Sequence, residues 1–284
     1  MNYRHSFHAG NFADVLKHAV LARVLVHLRS KDKAFRVIDT HAGPGSYDLQ
    51  SEAALRTGEW RHGIGRILDA KTERLEGAFE HFLTPYLEAV TAWREQQGDF
   101  AYPGSPAIVR HFLRPEDRLL AVELHERAFL KLERLFPPGS RVKALKLDGY
   151  EAWKAFIPPK ERRGLVLVDP PYEAPDEFAH VANGFEAAVK KWPSGMTLLW
   201  YPVKDRGLVG NFIARVRARL PTESLRVELD TGASEHEAGL SACGLLLVNP
   251  PWTLERELNA ALPFLARRLA RGPRPNVICE RLVP

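Results

Sequence analysis

Residues 167–173 read LVDPPYE, the end of an apolar run followed by Asp169, Pro170, Pro171 and Tyr172. These four residues suit one chemistry, the use of a nucleobase's exocyclic amine as a nucleophile. Such an amine attacks poorly because its lone pair is delocalised into the ring. Asp169 and the carbonyl of Pro170 can accept from its two N–H groups, drawing the nitrogen toward tetrahedral geometry and freeing the lone pair for attack on a methyl sulfonium. The prolines fix φ and add acceptors without competing donors. Tyr172 offers a face on which a base taken out of its stack can lie. A near-copy, LVNPPW, ends at Trp252. It follows a strand expected to run the other way, so only the Asp169 copy is expected to be catalytic, with Trp252 packed on the body.

Three further strand ends carry matching groups. DTHAGPG (39–45) is a turn in which Gly43 and Gly45 let backbone approach a ligand. The second strand ends in Glu123, where a carboxylate can hold a ribose diol. The third ends in LDGY, with Asp148 and Gly149 placed to meet the amino group and ring edge of an adenine. Each alone has a plainer use as turn punctuation. In this order they describe a nucleoside-shaped ligand across three strands, with a reacting group delivered over the fourth.

The elements that must position these groups alternate between β-rich runs and helical patterns, the signature of an α/β doubly wound sheet. Strands are expected at 34–40, 118–124, 142–148, 164–169, 196–203, 224–230 and 243–249. The last two are joined by TGASEHEAGLSA, too short for a crossover helix, which makes the final strand antiparallel in a seven-stranded, mostly parallel sheet. Helical spacing of apolar residues marks 126–136, 176–192 and 206–220, and an opening helix covers about 11–30. From 51 to 104 the chain reads as helices where one short crossover was expected. The expected organisation is therefore a Rossmann-like domain, 1–50 and 105–284, with an inserted helical subdomain at 51–104.

Composition sets the outer bounds. The 284 residues, 45% hydrophobic and 26% charged, are those of an ordinary globular protein. No apolar stretch approaches the length of a bilayer span, and the first ten residues contain no apolar signal core, so a cytoplasmic protein without membrane attachment is expected. Cys243 and Cys279 have no metal or redox spacing, and no metal is expected. The net charge of +5 is modest, but arginines and lysines cluster at 56–66, 160–163, 215–219 and 267–274, which suits a polyanionic partner as well as solvated helix faces. No sizeable apolar interface is marked, so a monomer is expected.

DPPY after a fourth strand resembles the catalytic motif of S-adenosylmethionine-dependent amino-methyltransferases. Together with YRHSFHAGNFADVLKH (3–18), DTHAGPG (39–45) and YPGSP (102–106), the whole chain resembles the RlmJ family, which methylates adenine N6 in 23S ribosomal RNA. The resemblance implies a Rossmann-like class I methyltransferase fold, S-adenosyl-L-methionine as cofactor, and a single adenine in naked or partly assembled 23S rRNA as target, reached by base flipping. It implies that His18, His41, Ser105, Glu123, Asp148 and Gly149 contact the cofactor, that Asp169 is the catalytic acceptor, and that Tyr3 approaches the RNA. His41 departs from the broader methyltransferase pattern, which has glycine there; turn and cofactor roles both remain open to it. Ser105 has two compatible uses, capping the helix that follows with Pro106 at its first position, and touching the cofactor. His18 can equally be a satisfied helix residue. Among rivals, a nicotinamide-dependent oxidoreductase needs a complete G-x-G-x-x-G turn, which HAGPGSY lacks. DNA adenine-N6 and protein glutamine methyltransferases use similar motifs, and a non-catalytic RNA-binding protein could share the fold. The small helical insertion suits shape-based RNA recognition better than DNA sequence reading.

Overall fold

The computed structural model describes residues 5–69, 77–234 and 239–284. Helix α1 (Phe12–Arg29) precedes strand β1 (Arg36–Asp39). A short antiparallel ladder pairs β2 (Ser46–Asp48) with β3 (Ala101–Pro103), and between them lie α2 (Glu52–Thr57), α3 (Ile64–Asp69) and α4 (Gly77–Gln97). Alternation follows: α5 (Ser105–Phe112), β4 (Arg118–Val122), α6 (Glu126–Leu135), β5 (Val142–Leu145), α7 (Gly149–Phe156), β6 (Gly164–Val168), α8 (Glu177–Lys191), β7 (Met196–Pro202), α9 (Arg206–Arg217) and β8 (Ser224–Asp230). The order is completed by β9 (Ala242–Val248), α10 (Leu254–Leu269) and β10 (Asn276–Leu282).

The main sheet runs β10-β8-β9-β7-β6-β1-β4-β5. From β7 to β5 all neighbours are parallel. The chain steps from β1 to β4 on one side and crosses to β6 on the other. That reversal leaves a crevice beyond the carboxyl ends of β1 and β6, where open α/β sheets bind ligands. β9 lies antiparallel between β7 and β8, as its hairpin requires, but it is not the final strand. The sheet has eight strands rather than the expected seven, because β10 adds antiparallel to β8 at the edge. Its sequence, NVICERL, follows a segment rich in arginine and proline and buries only Leu282 fully, so no apolar alternation announced it.

Alternate residues of the central strands enter two separate cores. Val37, Leu165, Leu167, Leu198, Leu245 and Leu247 face the cluster that holds α1, α4, α5 and α10. Ile38, Val166, Val168, Leu199, Leu246 and Val248 face the cluster under α7, α8 and α9. A strand pleat of period two is thus buried on both faces, which explains why these strands read as continuous apolar runs.

The helices between β2 and β3 share the first core. Phe79, Phe82 and Tyr86 of α4 are buried in the same cluster as Leu16, Leu21 and Leu25 of α1. The α3 end is pinned to the chain before α1: the Ile64 amide donates to the Gly10 carbonyl at 2.8 Å. A Cβ on Gly63 would lie 2.1 Å from that same carbonyl oxygen, so only glycine permits this approach.

Candidate active site

Four acidic residues stand at the carboxyl ends of adjacent parallel strands, in the spatial order Asp169 (after β6), Asp39 (ending β1), Glu123 (after β4) and Asp148 (after β5). The strand ends singled out in the sequence therefore line one edge of the sheet. What occupies each carboxylate differs.

Asp169 is held by α1. Asn11 caps that helix by accepting from the Ala13 and Asp14 amides, and the first turns bury Asp14, Lys17 and His18 at i, i+3 and i+4. Lys17 donates to Asp169 Oδ2 and lies 2.9 Å from Asp14 Oδ1. Burial opposes the ammonium, but Asp14 and Asp169 outweigh it and hold the Lys17 pKa above the ordinary lysine value. The Lys17 side chain is 5% exposed and that of Asp169 16%, so Asp169 is the member of the pair that reaches the crevice. With Oδ2 engaged, Oδ1 remains as the acceptor.

Asp39 is fully buried and accepts from Ser105 Oγ at 2.7 Å. Its Oδ1 has no well-formed hydrogen bond among the described residues. Burial pushes its pKa up to about 7, with the charge of Asp169 adding and Ser105, Lys17 and the His41 amide opposing. A buried carboxylate in this condition suits a ligand that brings its own cation or N–H donors. Ser105 itself is the first residue of α5; the cap is Gly104, with no side-chain bond, and Pro106 is at the second position rather than the first. The serine hydroxyl thus serves Asp39 instead of the helix end.

His41 follows β1. Thr40 Oγ1 donates to the Leu167 carbonyl at 2.9 Å, so His41 Nδ1, 2.8 Å away, is assigned as donor to it and Nε2 as acceptor. Burial lowers the His41 pKa to about 4, against the pull of Asp169 and Asp148, and keeps the ring neutral. A Cβ on Gly149 would meet the Thr40 carbonyl at 2.3 Å and the His41 ring at 2.7 Å, so glycine brings the start of α7 against the β1 turn. Asp148 caps α7, its Oδ1 accepting from the Tyr150 and Glu151 amides at 2.8 and 3.1 Å. Glu123 Oε1 accepts from the His125 amide at 2.6 Å; burial raises its pKa, with the His125, Gly43 and Leu124 amides opposing. Both bonds to Asp148 fall on Oδ1, which leaves its Oδ2 for a ligand.

Tyr172 has φ 50°, a region that costs a non-glycine residue on the order of 1 kcal/mol. It is fixed there by donating from Oη to the Trp200 carbonyl at 2.9 Å and by packing on Phe178, with ring centroids 4.8 Å apart. The residue as a whole is half-buried. His18 is 1% exposed, with Nδ1 2.8 Å from Tyr102 Oη and Nε2 3.9 Å from Asp14. These contacts are with Tyr102 and Asp14 in the buried interior rather than with the strand-end carboxylates. Tyr3 lies outside the described residues.

The second motif differs in place and conformation. β9 runs against β7, so Asn249 lies at the far edge of the sheet from Asp169. Here Asn249 itself has positive φ, 52°, and its side chain accepts from Thr222 and donates to the carbonyls of Pro193 and Gly195. Trp252 does not pack on the body: it is 83% exposed.

Residues 32–276 match the model of the family described as "Ribosomal RNA large subunit methyltransferase D, RlmJ". The chain belongs to this family. Two RlmJ relatives, both called ribosomal RNA large subunit methyltransferase J, are similar over nearly their whole length. That of Escherichia coli is 39% identical, covering 100% of this chain and 99% of its own. That of Haemophilus influenzae is 38% identical over 95% and 94%. A crystal structure of a Legionella pneumophila protein superposes with a TM-score of 0.85 at 31% identity, covering 96% of this chain and 98% of that one. The RlmJ-type assignment makes this chain a methyltransferase enzyme.

Lys17 and Asp14 were not singled out by sequence reasoning. The signal was present: in FADVLKHAVLA three charged or ionisable residues interrupt an apolar run at i, i+3 and i+4, and charges on a buried helix face require partners. The partner, 152 residues away, was not visible.

Proposed function

We propose that this chain transfers a methyl group from S-adenosylmethionine to N6 of a specific adenine in 23S ribosomal RNA, acting on naked or partly assembled RNA and on a base taken out of its stack. The observation that carries this reading is Asp169, set at the crevice by a buried lysine and followed by two prolines and a fixed aromatic. The strand-end residues fit the cofactor chemically: the half-buried Glu123 carboxylate suits a ribose diol, the second oxygen of Asp148 an adenine amine, and Asp39 Oδ1 an amino group. His41, Ser105 and Gly149 complete that cradle, with His18 behind it. When bound, the cofactor supplies the methyl group as an electrophilic sulfonium carbon.

The chain's own residues prepare the nucleophile. Lys17 fixes the orientation of the Asp169 carboxylate, so Oδ1 and the Pro170 carbonyl take the two N6 hydrogens without reorganisation at the moment of reaction. The lone pair then points away from both acceptors. After transfer the nitrogen carries one surplus proton, and Asp169 Oδ1 is placed to pass it to solvent through its exposed edge. Tyr172 holds the extruded base by stacking, which replaces part of what the RNA loses. Residues 51–104 act as an inserted unit that frames the RNA side of the crevice.

Incubation with S-adenosylmethionine and, in separate reactions, protein-free rRNA, DNA and protein, followed by mass analysis of digests, tests the reading. N6-methyladenosine from 23S rRNA alone is the expected result. Methylated deoxyadenosine or methylglutamine instead would overturn it.

A further inference from the structure

The four basic clusters of the sequence separate by sheet edge. Lys160–Arg163 precede β6 at the amino edge, where Arg163 donates to the carbonyls of Leu28 and Lys33. Arg215 on α9 and Arg219 just after it lie 2.9 and 4.0 Å from Glu186. The other two clusters, about 200 residues apart, converge. Arg268 Nε donates to the Arg66 carbonyl at 3.0 Å, and Arg66 donates to the Ala270 carbonyl. Burial, then Arg268 and Arg271, lower the Arg66 pKa, as gathered like charges do.

This convergence falls on the catalytic edge. α10 runs back from the far edge, and the Arg271 amide donates to the Thr231 carbonyl at 2.8 Å, just past the carboxyl end of β8. β8 and β6 are three strand spacings apart, roughly 15 Å at about 4.8 Å each. A contact chain joins the same patch to the reacting group: Ile64 to Gly10, Gly10 to Asp14, Asp14 to Lys17, Lys17 to Asp169. Two exposed guanidinium groups lie over aromatic rings, Arg61 over Trp60 at 5.3 Å and Arg267 over Phe264 at 4.6 Å, with Phe264 stacked on Phe79 of α4. Planes held this way present donors to phosphate at little entropic cost.

We infer that Arg61, Arg66, Arg267, Arg268 and Arg271 form one docking surface for the phosphate backbone of the RNA strand that delivers the target adenine to Asp169. The inference rests on the rRNA substrate proposed above. It assigns the polyanion-binding role to two of the four clusters and withholds it from the other two.

The test measures binding to protein-free large-subunit rRNA as a function of salt. Each neutralised phosphate contributes a slope of about −0.7 in log affinity against log salt on single strands. Arg61→Gln/Arg267→Gln/Arg271→Gln should shrink the slope by about 2, while Arg215→Gln/Arg217→Gln/Arg219→Gln leaves it unchanged. Lysine at the three patch positions should restore the slope, because charge and not packing carries the effect. An unchanged slope in the glutamine patch variant, an equal loss in the α9 variant, or no restoration by lysine would each overturn the surface. Methylation of the same RNA by the unaltered protein is followed alongside. If it occurs, such a result overturns the surface alone; if it does not occur, the substrate reading fails instead.

Discussion

One buried ammonium stands among three carboxylates, and that imbalance governs the reacting residues. Lys17 serves Asp14 and Asp169, while Asp39 has a serine hydroxyl in place of a cation. Asp169→Ala removes the placed acceptor and should cost at least about 100-fold in single-turnover methylation while binding of S-adenosylmethionine persists. Lys17→Met removes the ammonium shared by Asp14 and Asp169, a change worth about 3–5 kcal/mol for a buried pair. Denaturation at neutral pH should show that loss. Asp39 behaves oppositely to a salt-bridged acid. Its pKa is raised from 3.8 to about 7, so the stability it contributes is full below about pH 4 and is lost as pH rises through 7. Asp39→Asn abolishes the titration; it should be more stable than the parent above pH 7, on the order of 1.4 kcal/mol per pKa unit removed, with the two curves meeting near pH 4. A gain that grew toward acid would contradict this origin.

At the scale of elements, strand direction separates two similar motifs, and on the proposed function only the first is expected to work. β6 points Asp169 into the crevice, and β9, reversed by its hairpin, points Asn249 away. Asn249 is a turn residue that adopts positive φ and ties 193–195 to Thr222 through three hydrogen bonds. Asn249→Ala should cost about 2–4 kcal/mol from those bonds and the lost conformational preference. Its methylation rate per folded molecule should equal the parent's, which a chemical melt and a single-turnover assay together decide. The sequence carried this distinction because a twelve-residue link between two strands leaves no room for a crossover. It also carried the acidic strand ends, since each closes an apolar run at the same edge. It did not carry β10, a largely exposed edge strand whose neighbours are arginines and prolines, nor the exposure of Trp252, which depends on what the rest of the chain leaves uncovered. Lys17 was hidden for a different reason. The apolar run around it hinted that it is buried, but its partner just after β6 lies 152 residues away, and only the tertiary approach of β6 to α1 shows it.

Across the whole molecule, a chain of contacts joins the helices between β2 and β3 to the Asp169 carboxylate. The insertion meets the chain before α1 where Gly63 lies against Gly10, Gly10 donates to Asp14, and Asp14 shares Lys17 with Asp169. A displacement of these helices is therefore expected to reach the Asp169 carboxylate, although Gly63 and Asp169 are far apart in sequence. Gly63→Ala tests this. Its Cβ would fall 2.1 Å from the Gly10 carbonyl oxygen and 2.7 Å from the Asn11 Cα, well inside contact distance and against backbone that cannot rotate away. The segment before α1 must then shift by about 1 Å, and misplacements of that size can cost about 100-fold in rate. The expected outcome is a folded protein, with the sheet's unfolding transition lowered modestly, cofactor affinity at the Glu123 and Asp148 end nearly retained, and methyl transfer reduced at least about tenfold. Calorimetric titration with S-adenosylmethionine and single-turnover methylation of rRNA separate these effects. A Gly63→Ala protein that binds and turns over like its parent would show that the path through Gly10 does not position Asp169.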